Sequence, residues 1–272
     1  MIATIKSEWR KNRFRPAFLV GSGIVAAITV LLYGVSWYQA LNPGAARQPV
    51  SLLTLYPDQF VNNVMGAGFP LGAAIAIVLG ALIAGSEYSW GTMKTSLTQG
   101  PGRITMWFGR VVAFEAWMGI ITLILFVVGA ASSVVVASFQ GHTIAWPAIV
   151  DVAKGFGTIW LVFAVNGAIG MALGVLIRSS AAALGVGLIY VLAVEVIAVR
   201  FIDSISSGAY KWIGDLFVNQ NATALTSSFT SPAFGRSLAP SIGAEQAVVV
   251  LFAYFAGLII VAAALIRQRD VT

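Results

Sequence analysis

Gly85-Ser86-Glu87-Tyr88-Ser89-Trp90-Gly91-Thr92-Met93-Lys94-Thr95-Ser96-Leu97-Thr98-Gln99-Gly100-Pro101-Gly102-Arg103 is a polar, basic connector set between two long apolar runs. A connector that only reverses the chain can be a handful of residues long. This one carries Glu87, Tyr88, Trp90, Lys94 and Arg103, with Gly91 in the middle and Gly100-Pro101-Gly102 as a stop. The apolar runs on either side are each long enough for a helix to cross a bilayer, where every backbone polar group must be satisfied within the segment. The chain therefore reads as membrane-spanning helices, and the connector as a surface presented to a partner.

Composition agrees. Of 272 residues, 58% are hydrophobic and 10% charged, with a mean hydropathy of +0.88. A soluble domain is about 45–50% apolar and about 25% charged, so the excess belongs in lipid. The chain has no cysteine, which excludes disulfides, thiol catalysis and thiolate metal sites, and its single histidine, His142, excludes a His-rich metal cluster. The net charge of +6 comes from residues beside apolar segments and not from a soluble basic patch, so it signals membrane orientation and not nucleic-acid binding.

Six spans are expected: Ala17 to Trp37, Met65 to Gly85, Met106 to Val128, Val152 to Ile177, Ala181 to Val199 and Ala247 to Ile266. The first is too long for a signal-peptide core and is read as a mature helix. One side of the bilayer then holds Lys6, Arg10, Lys11, Arg13, Arg15, Lys94, Arg103, Arg110, Arg178, Arg267 and Arg269. The other holds Arg47, Lys154, Arg200, Lys211 and Arg236. The richer side is expected to be cytoplasmic, with both termini and the connector on it. The whole of residues 1–272 reads as a single transmembrane domain.

The segment before the first span, within residues 1–16, reads as an interfacial helix: Ile2, Ile5 and Trp9 share a face, and Pro16 marks the elbow into the bilayer. Residues 200–246 form the longest loop, expected to be extracellular, with Tyr210, Trp212 and Phe217 as aromatics suited to the headgroup zone, so that part of the loop lies on or dips into the outer leaflet.

Little here carries chemistry. There is no Walker-type phosphate loop and no nucleophile elbow, so the chain is expected not to be an enzyme, and any ATP is hydrolysed by another chain. Glu115 in the third span and Glu195 late in the fifth are ionisable groups at membrane depth; each either lines a polar route or is satisfied in a helix contact. Asn166 is a candidate interhelical hydrogen bonder. Gly167, Gly170 and Gly174 in the fourth span, with Gly185 and Gly187 in the fifth, mark faces where backbones approach closely, read as packing within the bundle.

In the connector, Ser86 is placed to cap a short helix with Glu87 in its first turn, and Trp90, Met93 and Leu97 form one apolar stripe. Such a helix can lie on the bilayer or dock into a groove of a partner. Glu87-x-x-x-Gly91-Thr92-x-Lys94 followed by Pro101-x-Arg103 resembles the cytoplasmic connector after the second span in permease subunits of type-2 ATP-binding-cassette (ABC) exporters. The six-span layout, basic N-terminal helix, long fifth-to-sixth loop and late acidic residue in the fifth span extend the resemblance along the chain.

The resemblance implies that the connector is a coupling helix, with Glu87, Tyr88, Trp90, Gly91, Thr92, Lys94 and Arg103 engaging a separate ABC ATPase subunit, two copies per complex. It further implies a second permease chain, identical or homologous, a prokaryotic cell membrane, and ATP and magnesium held by the partner and not by this chain. Apolar walls suggest an amphipathic or lipid-like cargo. Two alternatives stand beside this: an ATP-independent channel or ion-driven transporter, and an intramembrane enzyme using Glu115 and Glu195. The latter requires the two carboxylates to converge to within roughly 6.5–9.5 Å, as when a pair flanks one scissile bond.

Overall fold

The structure is a computed structural model that describes residues 1–42, 44, 50–89, 102–206, 210–229 and 242–268. Its elements are helical: α1 (Ile2–Arg13), α2 (Pro16–Leu41), α3 (Phe60–Ser89), α4 (Arg103–Phe139), α5 (Ile149–Ile177), α6 (Ser180–Ile189), α7 (Glu195–Ser206), α8 (Lys211–Gly214), α9 (Val218–Ser227) and α10 (Ala244–Gln268). A π turn, Tyr190–Val194, joins α6 to α7. Six of these segments are long and apolar enough to cross a membrane: α2, α3, α4, α5, the α6–α7 rod and α10. This is the build of a multi-pass membrane protein.

Local sequence accounts for the boundaries. Pro16 opens α2 from the first helical position, where its missing N–H is no loss, and Arg15 before it is extended at φ −82°, ψ 118°. At the far end of α5, Arg178 turns left-handed at φ 58° and Ser179 accepts from the Ala182 amide at 3.4 Å, so two residues reverse the chain from α5 into α6.

The bundle is centred on α3, α4 and α5. Its core joins Ile83 and Val64 of α3 to Phe114, Met118 and Leu125 of α4 and Ile159, Phe163 and Val165 of α5. The apolar window of α5 is 72% buried, against 28% for α10 and for the α6–α7 rod, so the latter present their faces to lipid. The α3–α5 contact is backbone on backbone. A Cβ at Gly80 would lie 2.2 Å from the Gly167 carbonyl oxygen, and one at Gly170 would lie 2.1 Å from that of Ile77. The small-residue face of the fourth span thus packs within the chain. Gly187 also abuts Ile77, but Gly185 faces open space and takes no part.

Several expectations are corrected. The helix expected to stop at Gly85 runs on to Ser89, and Ser86 is a buried mid-helix residue and not a cap. The reason is tertiary: the Gly85 backbone packs on Ser180, where a Cβ would come within 2.6 Å of its Cα, and that contact supports a further turn of α3. The third span, expected to end at Val128, continues about three turns further, to Phe139. The fifth continues through Arg200 to Ser206, so residues 200–206 belong to a helix and not to the loop. Within that loop α9 packs into the bundle, with Val218, Ala222 and Leu225 in the core. The expected coupling helix, with Trp90, Gly91, Thr92 and Lys94, lies outside the described residues.

The segment before the first span is helical, α1, and packs a polar face on the bundle. Its buried stripe is Thr4, Glu8 and Asn12, while Ile2 is exposed. Trp9 stacks on Trp117 of α4 with ring centroids 5.0 Å apart. Gly109 of α4 lets the backbones close, since a Cβ there would meet Thr4 Cγ2 at 2.8 Å.

Candidate functional site

A polar stripe on a buried helix face needs partners, and α1 finds them where α3 ends and α4 begins. Arg110 is 2% exposed and Glu87 3%. Arg110 Nη2 donates to Glu87 Oε2, and its Nε lies 3.6 Å from Glu8 Oε2. Lys11 Nζ is 2.7 Å from Glu8 Oε1 and 3.8 Å from Glu87 Oε1. The four side chains form a closed ring of alternating charge, Arg110–Glu87–Lys11–Glu8, with no net charge.

Arg15, at the elbow between α1 and α2, lies beside the ring. Burial pulls its guanidinium down from the ordinary range, while Glu87 and Glu8 draw it up. Desolvating Arg110, Glu87 and Glu8 is costly, and only mutual pairing offsets it. The ring therefore holds only while α1, α3 and α4 keep this arrangement.

The residue after Glu87 fastens the opposite side of the same turn. The Arg178 guanidinium sits 5.9 Å over the Tyr88 ring, tying α3 to the α5–α6 reversal. Arg103 opens α4 on the far side of the connector. Both ends of the connector are thus rooted in packed helices.

Glu87 is read from sequence as part of a surface; the structure buries it. Glu8, Lys11 and Arg110 are absent from the sequence-derived site, although a signal existed. Glu8 is the only acid among the first fifteen residues, and Arg110 interrupts an apolar stretch at Gly109-Arg110-Val111. What the sequence lacks is the pairing, because Glu8 and Lys11 lie about a hundred positions before Arg110.

The intramembrane polar residues take separate places. Glu195 is 1% exposed and accepts from the Asn219 backbone amide in the first turn of α9, with the Gln220 amide beside it. It thus closes the N-terminus of a helix in the following loop, where a carboxylate also opposes the helix dipole. Glu195→Ala is expected to cost about 1–2 kcal/mol of local stability, as loss of a cap does. Faster limited proteolysis within residues 200–246 would report it, and Glu195→Gln should retain most of the protection. Unchanged proteolysis in the alanine variant would refute the capping role.

Glu115 in α4 has both carboxylate oxygens buried without a hydrogen-bond partner among the described residues, while its carbonyl accepts from Trp160 Nε1 at 3.1 Å. The helices carrying Glu115 and Glu195 pack against different neighbours. Asn166, expected to bond across helices, donates to Val162 O of its own helix at 2.8 Å. His142 stands exposed in its loop and stacks on Tyr56. Among the described residues no group of three or more His, Asp or Glu could hold a metal ion.

The fold and site together define a multi-pass helical membrane protein with a buried charge ring at the base of one inter-span connector. The chain belongs to the family described as "protein of unknown function (DUF2705)", which matches residues 24–272. The matched range includes Glu87 and Arg110 and begins after Glu8 and Lys11. Comparison with curated proteins finds no match.

Proposed function

We propose that the chain is the membrane-spanning permease subunit of a type-2 ABC exporter. In this reading α1 lies at the cytoplasmic interface, both termini face the cytoplasm, and two ATPase subunits engage the connector between α3 and α4 beyond the buried Ser86 and Glu87, in a pair of permease chains in a prokaryotic cell membrane. ATP and magnesium are bound by the ATPase.

The observation that carries the reading is the ring at Glu87. The acidic residue that opens the connector motif is locked to α1 and α4, and Tyr88 beside it to the α5–α6 turn. Force transmitted to Glu87 and Tyr88 therefore acts on α1, α4 and the α5–α6 turn together. A switch between inward- and outward-open arrangements would do work on cargo only through a difference in binding between the two. Apolar walls and few charges favour an amphipathic or hydrophobic cargo.

The test is affinity purification of the tagged chain in mild detergent, wild type against a Gly91→Trp, Lys94→Glu variant. Both changes lie in the connector and leave Glu87 and its ring intact. A Walker-motif ATPase is expected with wild type and is expected to be lost with the variant, at unchanged permease yield. Recovery of the permease without any ATPase in either sample would overturn the reading and favour an ATP-independent channel or ion-driven transporter.

A further inference from the structure

α1 crosses α4 at Gly109, where a Cβ would come within 2.8 Å of Thr4 Cγ2. From that crossing a groove of about 370 Å³ opens between the two helices, lined by Ile5, Lys6, Trp9 and Arg10 of α1 and by Val112 and Ala116 of α4. Val112 lies three residues beyond Gly109 and Ala116 seven, so the α4 wall reaches about 10 Å from the crossing at 1.5 Å per residue. That wall belongs to a helix long and apolar enough to span a membrane, and both residues are exposed on it. Trp9, stacked on Trp117 at 5.0 Å, fixes the α1 wall against α4.

The charge on this groove has one sign. Lys6 and Arg10 are exposed and stand four residues apart, on one face of α1, where like charges repel and weaken a helix. Among the described residues no acid lines the groove, and neither cation forms an ion pair. Glu8, between them in sequence, belongs to the buried stripe and is held by Lys11 and Arg110. Two uncompensated cations thus sit over an apolar wall. A soluble anion would leave that wall wet, and a zwitterionic lipid brings a cation of its own. An anionic head on a hydrocarbon body satisfies both parts, and a basic helix with a tryptophan on its apolar side is suited to the membrane interface where such molecules lie.

We propose that this groove binds one anionic phospholipid, its phosphate between Lys6 and Arg10 and an acyl chain along Val112 and Ala116. The site rests on the membrane-spanning character of α4 and not on the permease reading.

Native mass spectrometry of the full chain in mild detergent tests it, with phosphatidylglycerol or phosphatidylcholine added back after delipidation. A single phosphatidylglycerol adduct, preferred over phosphatidylcholine, is expected on wild type. The Lys6→Gln, Arg10→Gln variant should lower that preference about thirtyfold, about fivefold for each cation near the headgroups. An Arg13→Gln, Arg267→Gln variant carries the same change of charge at two exposed positions outside the groove and should keep the preference. Ala116→Phe fills the groove from an exposed position and should remove the adduct with both cations in place.

Equal loss in the two charge variants would mean non-specific attraction and overturn the proposal. An adduct that survives Ala116→Phe, or that inorganic phosphate alone displaces, would overturn it too. So would efficient oxidative dimerisation of an Ala116→Cys variant in membranes, because the natural chain has no cysteine and such a dimer would seat a second copy on the groove.

Discussion

Arg110→Ala is expected to lower the stability of the purified protein by about 3–5 kcal/mol, the cost of leaving buried carboxylates without their partner. Arg110 is the buried cation of the ring that reaches both Glu8 and Glu87, its side chain only 3% exposed. Without it, the two carboxylates, one on α1 and one on α3, keep Lys11, whose side chain is 41% exposed and 3.8 Å from Glu87, and Arg15 beside the ring. Arg110→Lys should recover only part of the loss, because an ammonium is a compact, strongly hydrated charge without the planar fork that spreads a guanidinium's donors between the two carboxylates.

A triple variant, Glu8→Gln, Glu87→Gln, Arg110→Met, should be more stable than Arg110→Ala. It removes the stranded charges together with their partner, and replacing whole buried ion networks by neutral groups is often tolerated. Thermal unfolding followed by tryptophan fluorescence is a suitable readout, since Trp9 and Trp117 stack across the α1–α4 contact. Equal melting of wild type and Arg110→Ala would show that the ring does not hold α1 in place.

Gly170→Leu is expected to abolish the folded bundle. A Cβ at this position would stand 2.1 Å from the Ile77 carbonyl oxygen and 2.8 Å from the Ala81 amide nitrogen. These are backbone atoms in the middle of α3, so no rotamer change relieves the clash and the helices must separate. Overpacking of ordinary cores costs about 1–3 kcal/mol, and more when the obstacle cannot move. Separation of α3 from α5 would also open the close approaches at Gly80 and Gly174, where the Cβ positions are equally blocked.

The chain supplies its own control. Gly185, on α6, has nothing within 4 Å of its Cβ position, and Gly185→Leu adds apolar area on a lipid-facing helix. Monodispersity on size exclusion should be lost for position 170 and kept for position 185. Aggregation of both, or of neither, would refute the close-approach reading of α3 on α5.

Much of the architecture was legible because lipid imposes a strong filter. Long apolar runs, polar breaks and the cost of an unpaired backbone group leave helices as the reading of segments such as Ile149–Ile177. Span ends were less legible: Gly85 reads as a stop, and only its contact with Ser180 explains why α3 continues to Ser89. The face that α1 turns to the bundle was likewise not legible. Hydropathy selects Ile2, Ile5 and Trp9, but the neighbours waiting at α4 are Arg110 and the close-packing Gly109, which favour Thr4, Glu8 and Asn12.

Membrane residence, the six apolar segments and the small-residue face of α5 are all readable from the chain alone, because each follows from composition or spacing within one stretch. That Glu87 is a buried partner of Arg110 and Lys11, and that Glu195 closes the N-terminus of α9, emerges from the folded arrangement. Those features join residues far apart in sequence, and an interaction between two charges or two faces exists only once the fold sets the distance between them.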